Sequence, residues 1–169
     1  LVKSDAVANV IANPIIKAVT LTGSSGAGRN VAKEAGKHLK KTVLELGGSD
    51  AYLILKDADL ELAAEACVTS RLINGGQSCI AAKRFIAVSE VHDEFVELVL
   101  SKMSKKSFGD PMRPQTDIGP MARIDLRDEL HEQVEESVAK GATLLLGGET
   151  PEGEGAFYPP TLLTDVDKG

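Results

Sequence analysis

The stretch Ala18-Val19-Thr20-Leu21-Thr22-Gly23-Ser24-Ser25-Gly26-Ala27-Gly28, followed by the polar run from Arg29 and then Thr42-Val43-Leu44-Glu45-Leu46-Gly47-Gly48, decides the fold. A β-branched, apolar run of five residues ends on a glycine-rich turn. A helix with Val31, Ala32, Ala35 and Leu39 on one face is predicted from about Arg29 to Lys40, and a second β-rich run closes on paired glycines. Strand, glycine turn, helix and strand make a βαβ unit, which requires a crossover and favours a parallel sheet.

The remainder continues that alternation. Short helix 5–12 precedes the unit, ending near Asn13-Pro14. Beyond it come a strand at 51–55, a helix at 60–73 capped by Asp57 or Asp59, a strand at 84–89 and a helix at 92–105. A long Gly/Pro-punctuated loop spans 107–122. A charged helix over 123–140 ending at Gly141, a strand at 143–146 and a strand at 158–163 complete the pattern. The fold class is α/β, a parallel-sheet three-layer architecture.

A net charge of -6 over 169 residues, with no dense Lys/Arg block, argues against a nucleic-acid surface. Only two cysteines occur, Cys67 and Cys79, with no CxxC and no His cluster, so neither a disulfide framework nor a structural zinc site is expected, and a cytoplasmic setting is the default. No run reaches the length of a membrane-spanning helix, so no membrane partner is expected. Leu1 in place of Met, and the abrupt stop at Gly169, suggest a piece truncated at both ends.

Two features carry chemistry. The glycine turn opening a helix suits an anion, because helix N-terminal N–H groups and the helix dipole favour one. It is not a P-loop, since Gly28 is followed by Arg29-Asn30 rather than Lys-Ser/Thr. Nor is it a full dinucleotide fingerprint, since Val31 stands where the third glycine would fall. A looser pyrophosphate turn and a plain tight β–α connection both remain open.

The second feature is Asn74-Gly75-Gly76-Gln77-Ser78-Cys79. A thiol on a glycine-rich turn after a helix can present its sulfur and its own N–H to a bound carbonyl, as a nucleophile with half an oxyanion hole. A buried structural cysteine is the other reading. Cys67, within the apolar stripe of the 60–73 helix, is read as packing. His38, His92 and His131 are read as solvated residues on polar helical surfaces.

In combination, Leu21-Thr22-Gly23-Ser24, Glu45-Leu46-Gly47-Gly48, Asn74-x-Gly76-Gln77-x-Cys79, Gly109-Asp110-Pro111 and Ile118-Gly119-Pro120 resemble, in order and spacing, an aldehyde dehydrogenase. The resemblance covers almost the whole chain. Cys79-Ile80-Ala81-Ala82-Lys83-Arg84 and Asp125 to Leu130 are most similar to bacterial succinate-semialdehyde dehydrogenases. It implies that residues 1–46 are the C-terminal part of an NAD(P)-binding domain and 47–169 the N-terminal part of the catalytic domain.

By that resemblance Cys79 is the nucleophile and Glu45 the general base, desolvated at a strand end. Gly23, Ser24 and Gly28 meet the cofactor, NAD or NADP, and Leu46 lines the nicotinamide pocket. Asn74 and Gln77 shape the Cys loop. The substrate is a small aldehyde, succinate semialdehyde being the candidate, and the parent is a homodimer or homotetramer. A CoA-acylating enzyme and a non-catalytic domain of the same fold are the alternatives. Some succinate-semialdehyde members carry Arg where Ile73 stands, which counts against that substrate unless Arg71 or a loop outside this chain takes its place. The family's oxyanion Asn, its adenosine-ribose segment and its Glu-Glu-x-Phe-Gly-Pro segment have no counterpart here, so the 169 residues alone are expected to be nearly inactive and to self-associate through bare sheet edges.

Overall fold

A computed structural model describes residues 2–166; Leu1 and residues 167–169, where the expected abrupt ends fall, lie outside them. The described chain folds as two compact units, one running to Gly48 and one starting at Ser49.

The first unit opens with a 3-10 turn, Ser4–Ala6, running into α1 (Val7–Ala12). Strand β1 (Ala18–Gly23) and strand β2 (Lys41–Leu46) pair in parallel, with Thr22 opposite Glu45 and Gly23 opposite Leu46. Between them α2 spans Ser25–Lys37, four residues earlier at its start than the sequence reading. The reason is local: the Ser24 hydroxyl accepts the Ala27 N–H at 3.2 Å, so the glycine-rich run is already capped and helical. The far end also differs. Leu39 is not on the helix face; it adopts φ 54° beyond the last turn and is 96% exposed. Lys40 closes the unit by donating its ammonium to the carbonyls of Ile11 and Asn13.

In the second unit β3 (Ala51–Ile54) and β4 (Arg84–Ala87) pair in parallel, Tyr52 opposite Phe85 and Ile54 opposite Ala87. Alternation along a strand sends these four side chains to one face. There they meet α3 (Leu60–Leu72) and α4 (His92–Met103) around a core of Ile54, Ala64, Cys67, Val68, Phe95, Val99 and Met103. Of the two candidate caps for α3 it is Asp59 that accepts the Leu62 N–H, at 3.0 Å. The opposite face of β3–β4 presents Leu53 and Ile86 to solvent.

The 107–122 loop is held by a bridge between Phe108 and Ile118 and by Asp117, whose carboxylate accepts the Ser107 N–H. Helix α5 (Ile124–Ala139) ends before Gly141, which takes φ 107° as the expected C-terminal glycine. The last pair, β5 (Thr143–Leu146) and β6 (Leu162–Thr164), is antiparallel with a register shift between Leu144 and Leu146. Strand β6 therefore starts four residues later than predicted. Pro159 and Pro160 have no N–H to give a ladder, and Tyr158 is buried with its ring edge-on to His131.

Candidate active site

The nucleophile loop is built at the end of α3. Its last turn runs into a 3-10 segment, Ile73–Gly76, in which Asn74, Gly75 and Gly76 take φ of 51°, 61° and 79°. Gly75 and Gly76 take such φ without a Cβ penalty, and Asn is among the few non-glycine types that enter this region readily. The turn is held by polar contacts. The Gln77 N–H and Nε2 both donate to the Asn74 carbonyl, at 3.2 and 2.9 Å. The Arg71 guanidinium donates to the Gly76 carbonyl and packs against its Cα, where an added Cβ would lie 2.1 Å from a guanidinium nitrogen.

Downstream, Ala81 and Ala82 are fully buried. The Ala81 N–H donates to the Ser78 carbonyl at 3.1 Å, and the Ala82 N–H donates to Ser70 Oγ at 3.2 Å. Ser70 Oγ itself lies 2.9 Å from the Tyr52 hydroxyl. Cys79 thus sits between two anchored ends, and its side chain is exposed. The buried-cysteine reading fails for Cys79 and holds for Cys67, which is 2% exposed and whose thiol burial pushes up to about 11. The Lys83 ammonium lies 3.4 Å from the Cys79 carbonyl.

The other expected site residues gather at the C-terminal end of β1–β2 in the first unit. Gly23 ends β1, and an added Cβ there would meet only the Leu21 side chain, no closer than 3.7 Å, so its backbone is open to a ligand. Ser24 caps α2: of the N-terminal N–H groups a helix leaves unpaired, that of Ala27 is taken by Ser24 Oγ, and Gly28, bonded to the Ser24 carbonyl, begins the helical ladder. Those of Ser25 and Gly26 remain at the helix mouth, the arrangement that suits a phosphate. Gly28 is buried, and a Cβ on it would lie 2.7 Å from Leu46 Cδ2; glycine is what lets α2 approach β2 there. Glu45 is exposed at the end of β2, so the desolvation expected of it is not present.

Two further residues have partners that the sequence does not reveal. Arg71 is half-buried and committed to the Gly76 carbonyl, with burial pulling its guanidinium below the ordinary value. It therefore braces the Cys loop through one of its five N–H donors. His131 is not simply solvated: its Nδ1 lies 3.0 Å from the Tyr158 hydroxyl, and burial holds the Tyr158 phenol above its usual value. A contact that sequence reasoning missed altogether is Gln77 Oε1 accepting the Ala122 N–H at 2.9 Å, across 45 residues. Only the Ile118-Gly119-Pro120 landmark beside it hinted that this segment mattered.

Residues 2–169 match the aldehyde dehydrogenase family, and the chain belongs to that family. Over 168 residues it is 49% identical to a protein of Mycobacterium avium named succinate-semialdehyde dehydrogenase [NADP(+)], and 47% identical to a protein of Mycobacterium ulcerans of that kind. The alignments take in 99% of this chain but only 36% and 37% of those proteins, so the chain spans about a third of its relatives' length. Among solved structures it is similar to succinic semialdehyde dehydrogenase from Streptococcus pyogenes in complex with NADP+, with TM-score 0.94 and 40% identity over 99% of this chain and 37% of that one. It is also similar to lactaldehyde dehydrogenase from Escherichia coli, with TM-score 0.91 and 38% identity over 95% of this chain and 34% of that one. The fold is accordingly α/β and aldehyde dehydrogenase-like.

Proposed function

We propose that this chain is the nucleophile-bearing part of an NAD(P)-dependent aldehyde dehydrogenase that converts an aldehyde to its carboxylic acid, with succinate semialdehyde as substrate. The observation that carries this reading is the exposed Cys79 on a left-handed, doubly anchored loop, in a chain of this family. On this reading residues 1–46 belong to the cofactor-binding domain and 47–169 to the catalytic domain of a cytoplasmic homodimer or homotetramer.

The first unit's residues fit a dinucleotide. Gly23 has an open backbone, Ser25 and Gly26 place N–H groups with no intrahelical partner at a helix N-terminus, and Gly28 brings the helix against Leu46. Gly23, Ser24 and Gly28 would hold the pyrophosphate end and Leu46 would border the nicotinamide. NADP is favoured over NAD by the names of the mycobacterial relatives and by the Streptococcus pyogenes complex. When bound, the dinucleotide supplies the acceptor for the hydride.

Cys79 does the covalent chemistry. As a thiolate it adds to the aldehyde carbon, forming a C–S bond and placing negative charge on oxygen. Its own N–H is available to that oxyanion. Loss of hydride leaves an acyl thioester on Cys79. Glu45 then takes a proton from water as the water adds to the thioester carbon, and the Cys79 thiolate leaves with its electron pair while the acid is released. With Ile73 in place of Arg, recognition of a distal carboxylate falls to Arg71, through the donors it does not give to Gly76, or to residues outside this chain.

The test is a semialdehyde panel on the full-length protein that carries this chain, with NAD and with NADP. NADP-dependent oxidation of succinate semialdehyde, lost in Cys79→Ser, is expected. Absence of turnover with every aldehyde overturns the reading, and turnover that requires CoA would move it to the acylating class.

A further inference from the structure

The Gln77 carboxamide joins the turn before Cys79 to the Met121–Ala122 segment. Its Nε2 donates to the Asn74 carbonyl at 2.9 Å, at the start of the left-handed run. Its Oε1 accepts the Ala122 N–H at 2.9 Å. The neighbouring Met121 N–H donates to the Ala156 carbonyl at 2.8 Å, so residues 121–122 are bonded alternately on both sides, like a rung between the loop and the Ala156 segment. Gly75 leaves the carboxamide room: a Cβ there would lie 3.3 Å from Nε2. Only an uncharged side chain of this length, offering both an acceptor and a donor, satisfies both partners.

We propose that Gln77 is a positioning residue for Cys79, locking the nucleophile loop onto the Met121–Ala122 segment through both ends of its carboxamide; its catalytic meaning rests on the function proposed above. Gly75 and Gly76 take positive φ freely, so the strain of the run lies at Asn74, whose carbonyl is the group Gln77 holds. The Gln77 bonds hold the loop upstream of Cys79, as the buried Ala81-Ala82 pair does downstream. Without the carboxamide the run has a lower-energy way to relax, and the thiol loses its fixed direction.

The experiment is residue-resolved amide hydrogen exchange at positions 77, 81 and 122, with iodoacetamide alkylation of Cys79, in the wild type, Gln77→Met and Gln77→Glu. Gln77→Met keeps the side-chain volume and removes both bonds, so Ala122 exchange is expected to rise about tenfold, the fold-change of roughly one hydrogen bond. Amides 77 and 81 should exchange faster too, and the Cys79 alkylation rate should change about threefold or more. Gln77→Glu keeps the acceptor and loses the donor, so Ala122 stays protected while amides 77 and 81 loosen. In the full-length enzyme Gln77→Met should lower kcat while KM for the aldehyde and the thermal midpoint barely move.

Unchanged Ala122 exchange in Gln77→Met would overturn the proposal. So would faster Ala122 exchange with unaltered Ala81 exchange and Cys79 alkylation, since the carboxamide would then anchor only the 121–122 segment. Exchange and alkylation need no turnover. A wild type that oxidises no aldehyde therefore defeats the functional reading while leaving these measurements to judge the lock.

Discussion

Adding a single methyl group to Gly28 tests how the cofactor end of the molecule is assembled. In an ordinary helix interior Gly→Ala stabilises by about 0.8–1.0 kcal/mol. Gly36, one residue from the end of α2 and with nothing within 4 Å of its added Cβ, should show part of that gain. At Gly28 the added carbon would sit 2.7 Å from Leu46 Cδ2 and 3.1 Å from Cδ1, inside van der Waals contact. Leu46 must then leave its place or α2 must lift from β2. Overpacking of this kind costs about 1–3 kcal/mol, which offsets the helical gain and leaves Gly28→Ala from about neutral to about 2 kcal/mol destabilised. The informative quantity is the difference between the two variants, about 1–3 kcal/mol, because both make the same substitution in one helix. Urea unfolding followed by far-UV circular dichroism reads it. Leu46→Ala combined with Gly28→Ala should recover part of the loss, since the clash disappears. Gly28→Ala as stable as Gly36→Ala would refute the close approach of α2 to β2, and with it the reason a glycine stands there.

Other outcomes follow from the same physical reasoning. Glu45→Gln in the full-length enzyme should lower steady-state turnover by about 10²–10⁴ while a first turnover survives as a burst of reduced cofactor; loss of the burst would place Glu45 in the acylation step. Gly76→Ala forces a Cβ onto a residue at φ 79° and into the Arg71 guanidinium, and should destabilise by about 1–3 kcal/mol in thermal unfolding. At pH 8 iodoacetamide should label Cys79 and spare Cys67, as read by peptide mass spectrometry. The Cys67 thiol is raised in the fold from 9.0 to about 11, so its contribution is complete below pH 9 and is lost as pH rises through 11. That loss is on the order of 2–3 kcal/mol, and Cys67→Ala, whatever its own cavity cost, should flatten the alkaline decline.

The sequence made the βαβ unit, the α3–α4 core and the order of elements legible, because each rests on local periodicity and on glycine or proline stops. Leu60, Ala63, Ala64, Cys67 and Val68 all pack where their spacing puts them. What escaped has non-local causes. A glycine-rich run reads as a turn until one sees that the Ser24 hydroxyl caps it into a helix. The antiparallel sense of β5–β6 leaves no trace in alternation, which is the same in either direction. At the site, the turn at Gly75-Gly76 was visible as glycine. Arg71 bracing Gly76, Gln77 reaching Ala122 and His131 meeting Tyr158 join residues that no local pattern connects.

The most direct measurement is a mass spectrum of the full-length Glu45→Gln enzyme, quenched in acid after mixing with succinate semialdehyde and NADP, digested and mapped. A succinyl group on the peptide carrying Cys79, absent without NADP, is the predicted result. An unmodified Cys79 beside a consumed aldehyde, or acylation at Cys67 instead, would contradict the account.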